Sequence, residues 1–158
     1  MSPIKRTEHI APLSRDHHFG LLFSWKINQG IKRGTDAKRI KSYIAYFWEN
    51  HLRTHFKEEE EILFLKDEPG CMQAEKEHAE IGRLIKSITE NENPDTANMQ
   101  ALANMISQHI RFEERELFTF LEQKLSLEQL TEIGNRLKEL HIDAPMDNYG
   151  DEFWAEKP

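Results

Sequence analysis

The chain has 158 residues, 31% of them charged and 38% hydrophobic, with a formal net charge of −7 at pH 7. That length is enough for one core of ordinary size, and abundant Leu, Glu, Lys and Ile with few Gly and Pro favour a soluble helical protein over a sheet. The acidic balance excludes a general nucleic-acid binder, which needs a basic footprint to displace phosphate counterions. A single cysteine, Cys71, excludes an internal disulfide framework and fits a reducing compartment. No apolar run approaches the ~20 residues of a membrane span, and the N-terminus lacks the apolar stretch of a signal peptide. No nucleic-acid or membrane partner is expected, and a cytoplasmic location is.

Helical periodicity runs through the chain, punctuated by Gly, Pro, Asn and Asp. The first helix starts after Pro12 and runs to about Gln29 or Lys32, ahead of a segment containing Gly30 and Gly34. Thr35 or Asp36 caps the second, which passes through Trp48 and His55 to about Lys66. Pro69 opens the third as a first-turn proline, and it continues through His78 to about Glu90. Asn93 before Pro94 repeats that signature for the fourth, which ends near Gln123 or Lys124. Ser126 and Gln129 have capping-box spacing and start a shorter fifth helix that ends near Leu140. The tail from His141 holds Pro145, Gly150, Phe153 and Trp154, whose aromatics dock either on the bundle or on a partner. Short joints force antiparallel neighbours, so the expected architecture is all-α: an up-down-up-down four-helix bundle. Its core spans 12–124, with a C-terminal helix at 126–140 and an irregular tail at 141–158, in one domain over 1–158.

Two stretches 54 positions apart share a pattern: His55, Glu59, Glu60, Leu63 and Phe64, then His109, Glu113, Glu114, Leu117 and Phe118. On the second helix Trp48, Leu52, His55, Glu59 and Ile62 follow the track of a core-facing stripe, as do Leu102, Ile106, His109, Glu113, Leu117 and Phe120 on the fourth. His78 interrupts a third inward track of Cys71, Ala74, Ile81, Ile85 and Ile88. On the first helix His17 falls opposite Arg15, Lys26 and Arg33, with its neighbour His18 as the alternative. One inward histidine per helix, plus an inward glutamate on two of them, is how metal sites are built in bundles. An ionised carboxylate is costly to bury without a cation, and a bound metal supplies one. Imidazole and carboxylate donors suit iron, and manganese or zinc can use the same types. Two ions with two nitrogens and two oxygens each would keep open positions for water or a small gas.

Leu13-Ser-Arg-Asp-His17, His55-Phe-Lys-Glu-Glu59-Glu60, Glu77-His78 and His109-Ile-Arg-Phe-Glu113-Glu114 resemble the hemerythrin-like HHE cation-binding family over roughly residues 12–124. The resemblance implies a non-haem di-iron centre with His17, His55, His78 and His109 as terminal ligands and Glu59 and Glu113 as bridges. It also implies a small diatomic partner such as oxygen or nitric oxide, bound or sensed rather than turned over. Two departures bear on this. Oxygen carriers of the family have a second histidine one turn before the third-helix ligand, where this chain has Ala74. They also place the last carboxylate five residues after its histidine, which would select Glu114; the four-residue spacing to Glu113 resembles a four-histidine, two-carboxylate branch associated with iron-centre repair and responses to nitric oxide and oxidants. Iron-cluster repair, peroxidase-type turnover and a metal-free interaction bundle are therefore the alternatives.

The acidic run Glu58 to Glu61 is expected to be solvated except at Glu59. Glu60 and Glu114 are either outer acceptors for ligand N–H groups or surface residues, and His51 is either an extra partner of the site or a boundary residue. His9 and His141 lie outside the four tracks and are expected to have no role at the metals.

Overall fold

A computed structural model describes residues 6–141 and 147–155, and the regular elements among them are all helical. Helix α1 (Ala11–Lys32) has Pro12 in its first turn, where the missing N–H costs no helical hydrogen bond. Gly34 then takes the left-handed conformation, at φ 72°, which only a residue without Cβ adopts cheaply. Of the two candidate caps it is Asp36 that starts the next helix, its carboxylate accepting from the Lys38 N–H at 3.0 Å.

Helix α2 (37–63) is not uniform. Ordinary α-helix over Ala37–Phe47 and Arg53–Glu58 alternates with π turns over Trp48–Leu52 and Glu59–Leu63. It stops short of Lys66, because Phe64 is already extended at ψ 139° and its N–H closes the last π turn onto the Glu59 carbonyl at 2.9 Å. Helix α3 (Pro69–Glu90) opens on Pro69, with the Glu68 carboxylate accepting from the Gly70 N–H at 3.1 Å.

Helix α4 (96–124) begins later than Asn93 and Pro94 suggest. The Asn93 N–H is taken by the Asn91 side chain at 2.9 Å, and Asp95 does the capping, accepting from the Ala97 N–H at 2.8 Å. This helix too contains a π turn, Glu113–Leu117, between Thr96–Phe112 and Phe118–Lys124. Helix α5 (Leu127–Leu140) starts with the reciprocal Ser126 and Gln129 capping box.

Short connections join the four long helices into an up-down-up-down bundle in which α1 packs on α2 and α4, and α3 on α2 and α4. Two apolar clusters fill it. One contains Phe23, Tyr43, Phe47, Ile81 and Ile106; the other contains Leu13, Leu63, Ala74, Leu117 and Phe118, closed off by Leu130, Ile133 and Leu137 of α5. Along every long helix, the histidine or glutamate of the candidate site falls between residues of these two clusters.

The tail docks on the bundle. Phe153 and Trp154 sit in a 3-10 turn (Phe153–Ala155) and are buried in the first cluster. A Cβ at Gly30 would lie 2.6 Å from Phe153 Cε1, so the glycine is the notch that receives the ring. Lys26 Nζ pairs with Asp147 at 3.1 Å and lies 4.1 Å from the centre of the Trp154 ring, while the Tyr43 hydroxyl donates to Asp147 at 2.6 Å. Pro145 lies outside the described residues. No described helix is long and apolar enough to cross a membrane.

Candidate metal centre

The six residues singled out in the sequence meet in the layer between the two apolar clusters. His17, His55, His78 and His109 are buried, and Glu59 and Glu113 are entirely inaccessible to solvent. His18 is exposed, so α1 contributes His17 alone. The donor atoms fall into two sets of four, His17, His55, Glu59 and Glu113, then His78, His109, Glu59 and Glu113, each with its atoms within 4.8 Å of one another. Glu59 and Glu113 belong to both sets.

Distances show the convergence. His17 Nε2 lies 2.8 Å from Glu113 and 3.3 Å from Glu59; His55 and His78 lie 3.2 and 3.0 Å from Glu59; His109 lies 3.2 Å from Glu113. Yet the Nε2 atoms of His55, His78 and His109, both oxygens of Glu59 and Oε2 of Glu113 are buried without a hydrogen-bond partner. Buried polar atoms are nearly always satisfied. Six that are close but misaligned point at shared positions between them, as the donors of a cation do.

The other nitrogen of each imidazole is held from outside. His55 Nδ1 donates to Asp16 at 3.1 Å, His78 Nδ1 to Glu60 at 2.6 Å, His109 Nδ1 to Glu77 at 2.7 Å and His17 Nδ1 to Glu114 at 2.9 Å. Each acceptor sits on the helix before that of its histidine, so the four contacts run α1 to α2, α2 to α3, α3 to α4 and α4 back to α1. The ring fixes the tautomer with Nε2 turned inward, the arrangement that raises ligand basicity. Glu60 and Glu114 thus act as outer acceptors. Asp16 and Glu77 were missed in this role, although each immediately precedes a candidate histidine.

Electrostatics follow from this crowding. Burial alone pushes the imidazoles toward neutrality, but Glu59, Asp16, Glu113 and Glu60 outweigh it and lift His55 to about 9 and His78 to about 11. Burial and the nearby Glu59 push Glu113 up, yet His109 and His17 bring it down to about 2. Glu59 is likewise held well below the usual carboxylate range, burial being overcome by His55, His17 and His78. Both shared carboxylates are therefore anionic at neutral pH, and a metal would replace protons on Nε2.

Aromatic rings wall the layer. Phe56 stacks on His78 with centroids 3.9 Å apart, and Phe118 on His17 at 5.1 Å. The expected inward position of Phe120 is wrong, since it is 39% exposed while Phe118 and Leu121 face in, and Ile62 reaches only the edge of the second cluster, half-buried beside a buried Leu63. The π turns cause this, since each carries one extra residue per turn and advances the inward stripe. Trp48 shifts to the boundary at the first π turn in the same way.

Neighbouring residues separate clearly. Cys71 is buried in the second apolar cluster, and burial pushes its thiol up to about 11. His51 stands apart from both donor sets; burial lowers its pKa, and its Nε2 has no partner. Glu58, expected to be solvated, is buried and bonded to His141 at 2.8 Å. Glu61 is exposed.

Comparison with known proteins agrees with this geometry. A DNA nickase of Nostoc sp. (strain PCC 7120 / SAG 25.82 / UTEX 2576) is 26% identical over 116 residues, which are 68% of this chain and 33% of that protein. The chain thus spans about a third of the length of that relative. No solved structure matches it. The family model for the hemerythrin HHE cation binding domain matches residues 7–121, which contain all six converging residues, and the chain belongs to that family.

Proposed function

We propose that this protein is a non-haem di-iron protein of hemerythrin type that binds or senses oxygen, nitric oxide or a related oxidant. The observation that carries the reading is the sharing of Glu59 and Glu113 by two donor sets, each completed by two imidazoles. Under it His17 and His55 would hold one ion, His78 and His109 the other, and Glu59 and Glu113 would serve both. Two nitrogens and two oxygens per ion are a donor set that iron accepts with coordination positions to spare. When bound, the iron pair supplies the redox-active, open positions at which a small oxidant is recognised.

The chain's own residues prepare that chemistry. Asp16, Glu60, Glu77 and Glu114 hold the four imidazoles with Nε2 inward, so the donors are oriented before any ion arrives. Phe56 and Phe118 cover two of the imidazoles and keep bulk water away. A cavity of about 100 Å³, with Phe47, Ile106 and Ile110 among its walls, reaches His17, His55 and His109 and suits a small diatomic molecule.

Ala74, fully buried one turn before His78, favours a second reading. With no extra imidazole there, the two donor sets are matched, an arrangement better suited to iron-centre repair or peroxidase-type turnover than to reversible oxygen carriage. The similarity to a DNA nickase supports no nuclease reading, because it covers 33% of that protein and this chain is acidic.

Spectroscopy of the protein purified with iron tests the proposal. Two irons in the dinuclear centre of each chain, oxo-bridged di-iron absorption bands and their change on adding oxygen or nitric oxide are expected. Less than one metal per chain, and no gain in melting temperature when iron is supplied, would return the protein to a metal-free bundle. Peroxide consumption, or iron passed to an apo acceptor, separates the second reading from simple binding.

A further inference from the structure

Outside the six-residue centre, three further metal-ligating side chains converge. His141, which ends α5, places Nε2 2.8 Å from Glu58 Oε1 and 3.9 Å from Asp16 Oδ2. The three donor atoms lie within 4.8 Å of one another, and their side chains are only 10% to 27% exposed. Helices α1 and α2 and the C-cap residue of α5 supply them, so the grouping is tertiary rather than a run of neighbouring acids.

Charge there depends on whether the dinuclear centre is loaded. Glu58 and Asp16 both face His141, Asp16 also accepts from His55 Nδ1, and neither carboxylate has a lysine or arginine partner among the described residues. A metal on His55 Nε2 would replace that ring's proton, leaving two partly dehydrated anions against His141 alone, which favours recruiting further positive charge. The trio also lines the cavity that reaches His17, His55 and His109, near the exposed Leu140 and Asn50. His51, on the wall of the same cavity, keeps Nε2 buried and without a partner.

We propose that Asp16, Glu58 and His141 form a third cation site, which holds a divalent first-row transition metal at the solvent end of the cavity and passes it to the dinuclear centre. This rests on the dinuclear reading given above. One imidazole nitrogen and two carboxylate oxygens suit Fe2+, Mn2+ or Zn2+ better than Mg2+ or Ca2+, which take oxygen alone. Asp16 links the two sites, because the oxygen it turns toward the trio also accepts from His55 Nδ1 at 3.1 Å. Two anions at the cavity mouth concentrate cations there, which speeds their entry.

Titration of the stripped full chain with Mn2+, free ion being counted by electron paramagnetic resonance, tests this. The native chain should take up three equivalents; His141→Ala and Glu58→Gln should each take up two and keep the native circular dichroism. A Glu59→Ala/Glu113→Ala double variant should retain one equivalent, lost when His141→Ala is added. Loading of the dinuclear centre with Fe2+ should slow about tenfold or more in His141→Ala. Saturation of the native chain at two equivalents, or an unchanged loading rate in His141→Ala, overturns the third site or its role. A single equivalent that depends on His141 and not on Glu59 and Glu113 would instead overturn the dinuclear reading and leave the outer site standing.

Discussion

Glu113 and Glu114, adjacent in the chain, grip the same imidazole from its two sides: His17 Nε2 lies 2.8 Å from Glu113 and His17 Nδ1 lies 2.9 Å from Glu114. This is feasible because the π turn begins at Glu113 and widens the helix at that point. The two carboxylates have different duties. One faces the shared interior and the other, with a 27% exposed side chain, fixes the ring from the surface. Glu114→Gln keeps an acceptor but removes the charge, and it should weaken metal binding by about 10- to 100-fold without unfolding the bundle. Glu116→Gln, on the exposed side of the same turn, should leave affinity unchanged. Competition with a chelator measures both.

The shared glutamates should be far less forgiving. Both are fully buried, and each belongs to both donor sets. Glu59→Ala or Glu113→Ala should reduce bound metal to one equivalent or less by elemental analysis, because no other carboxylate is placed to bridge. Glu61→Ala should keep the native metal content and change stability by no more than about 0.5 kcal/mol, as surface substitutions do. Equal losses from Glu59→Ala and Glu61→Ala would contradict the inward facing of Glu59.

Removing the metal should invert the pH dependence of stability. In the stripped protein His55 and His78 have raised pKa values of about 9 and about 11. Their stabilising contribution is complete below the unfolded value near 6.5 and is lost as pH rises through about 9 and then about 11. Glu113, lowered to about 2, contributes fully above 4.5 and loses that contribution as pH falls toward about 2. The melting temperature of the stripped chain should therefore drop between about pH 6 and about pH 9. Metal affinity should climb over the same interval as Nε2 protons cease to compete. Melting curves of stripped and loaded protein at the two pH values check both signs.

The tail should stabilise the bundle without touching the metals. Phe153 is fully buried in the notch at Gly30, within the apolar cluster on the Phe23 side of the centre. Phe153→Ala should cost about 3 kcal/mol or more in denaturant unfolding, the usual penalty for emptying a buried aromatic site. Metal content should stay at the native level; a loss would mean that the tail also braces the centre.

Much of this molecule was legible in its sequence, because amphipathic helices declare their inner face and a buried His-to-Glu pair has few innocent explanations. Four helices, their order and the six converging residues could be read that way. The helical wheel favours His17 and keeps His18 as the alternative, since a wheel resolves neighbours poorly where the apolar stripe is thin. The outer ring was only half visible: Glu60 and Glu114 could be named as candidates, but Asp16 and Glu77 act across to a neighbouring helix, and no spacing within one helix reports that. Docking of Phe153 and the pairing of Glu58 with His141 are tertiary as well. The most instructive miss is Phe120, because a fixed period of 3.6 residues was carried through a segment whose backbone does not keep it.

That miss yields a sharp comparison. Continued from Glu113 at the ordinary period, the inward stripe would include Phe120; with the π turn Glu113–Leu117 inserted, Phe118 and Leu121 face in instead. Phe118 is fully buried and stacks on His17, whereas Phe120 is 39% exposed. Phe118→Ala should cost about 3–5 kcal/mol, the range for truncating a buried aromatic. It should also loosen the ion served by His17, seen as metal lost on dialysis. Phe120→Ala should cost about 1 kcal/mol or less and leave the metal content intact. The reverse order in a denaturant melt would mean that the helix runs through Leu117 without the extra residue. Glu114 would then turn away from His17, and the ring of outer carboxylates would be broken between α4 and α1.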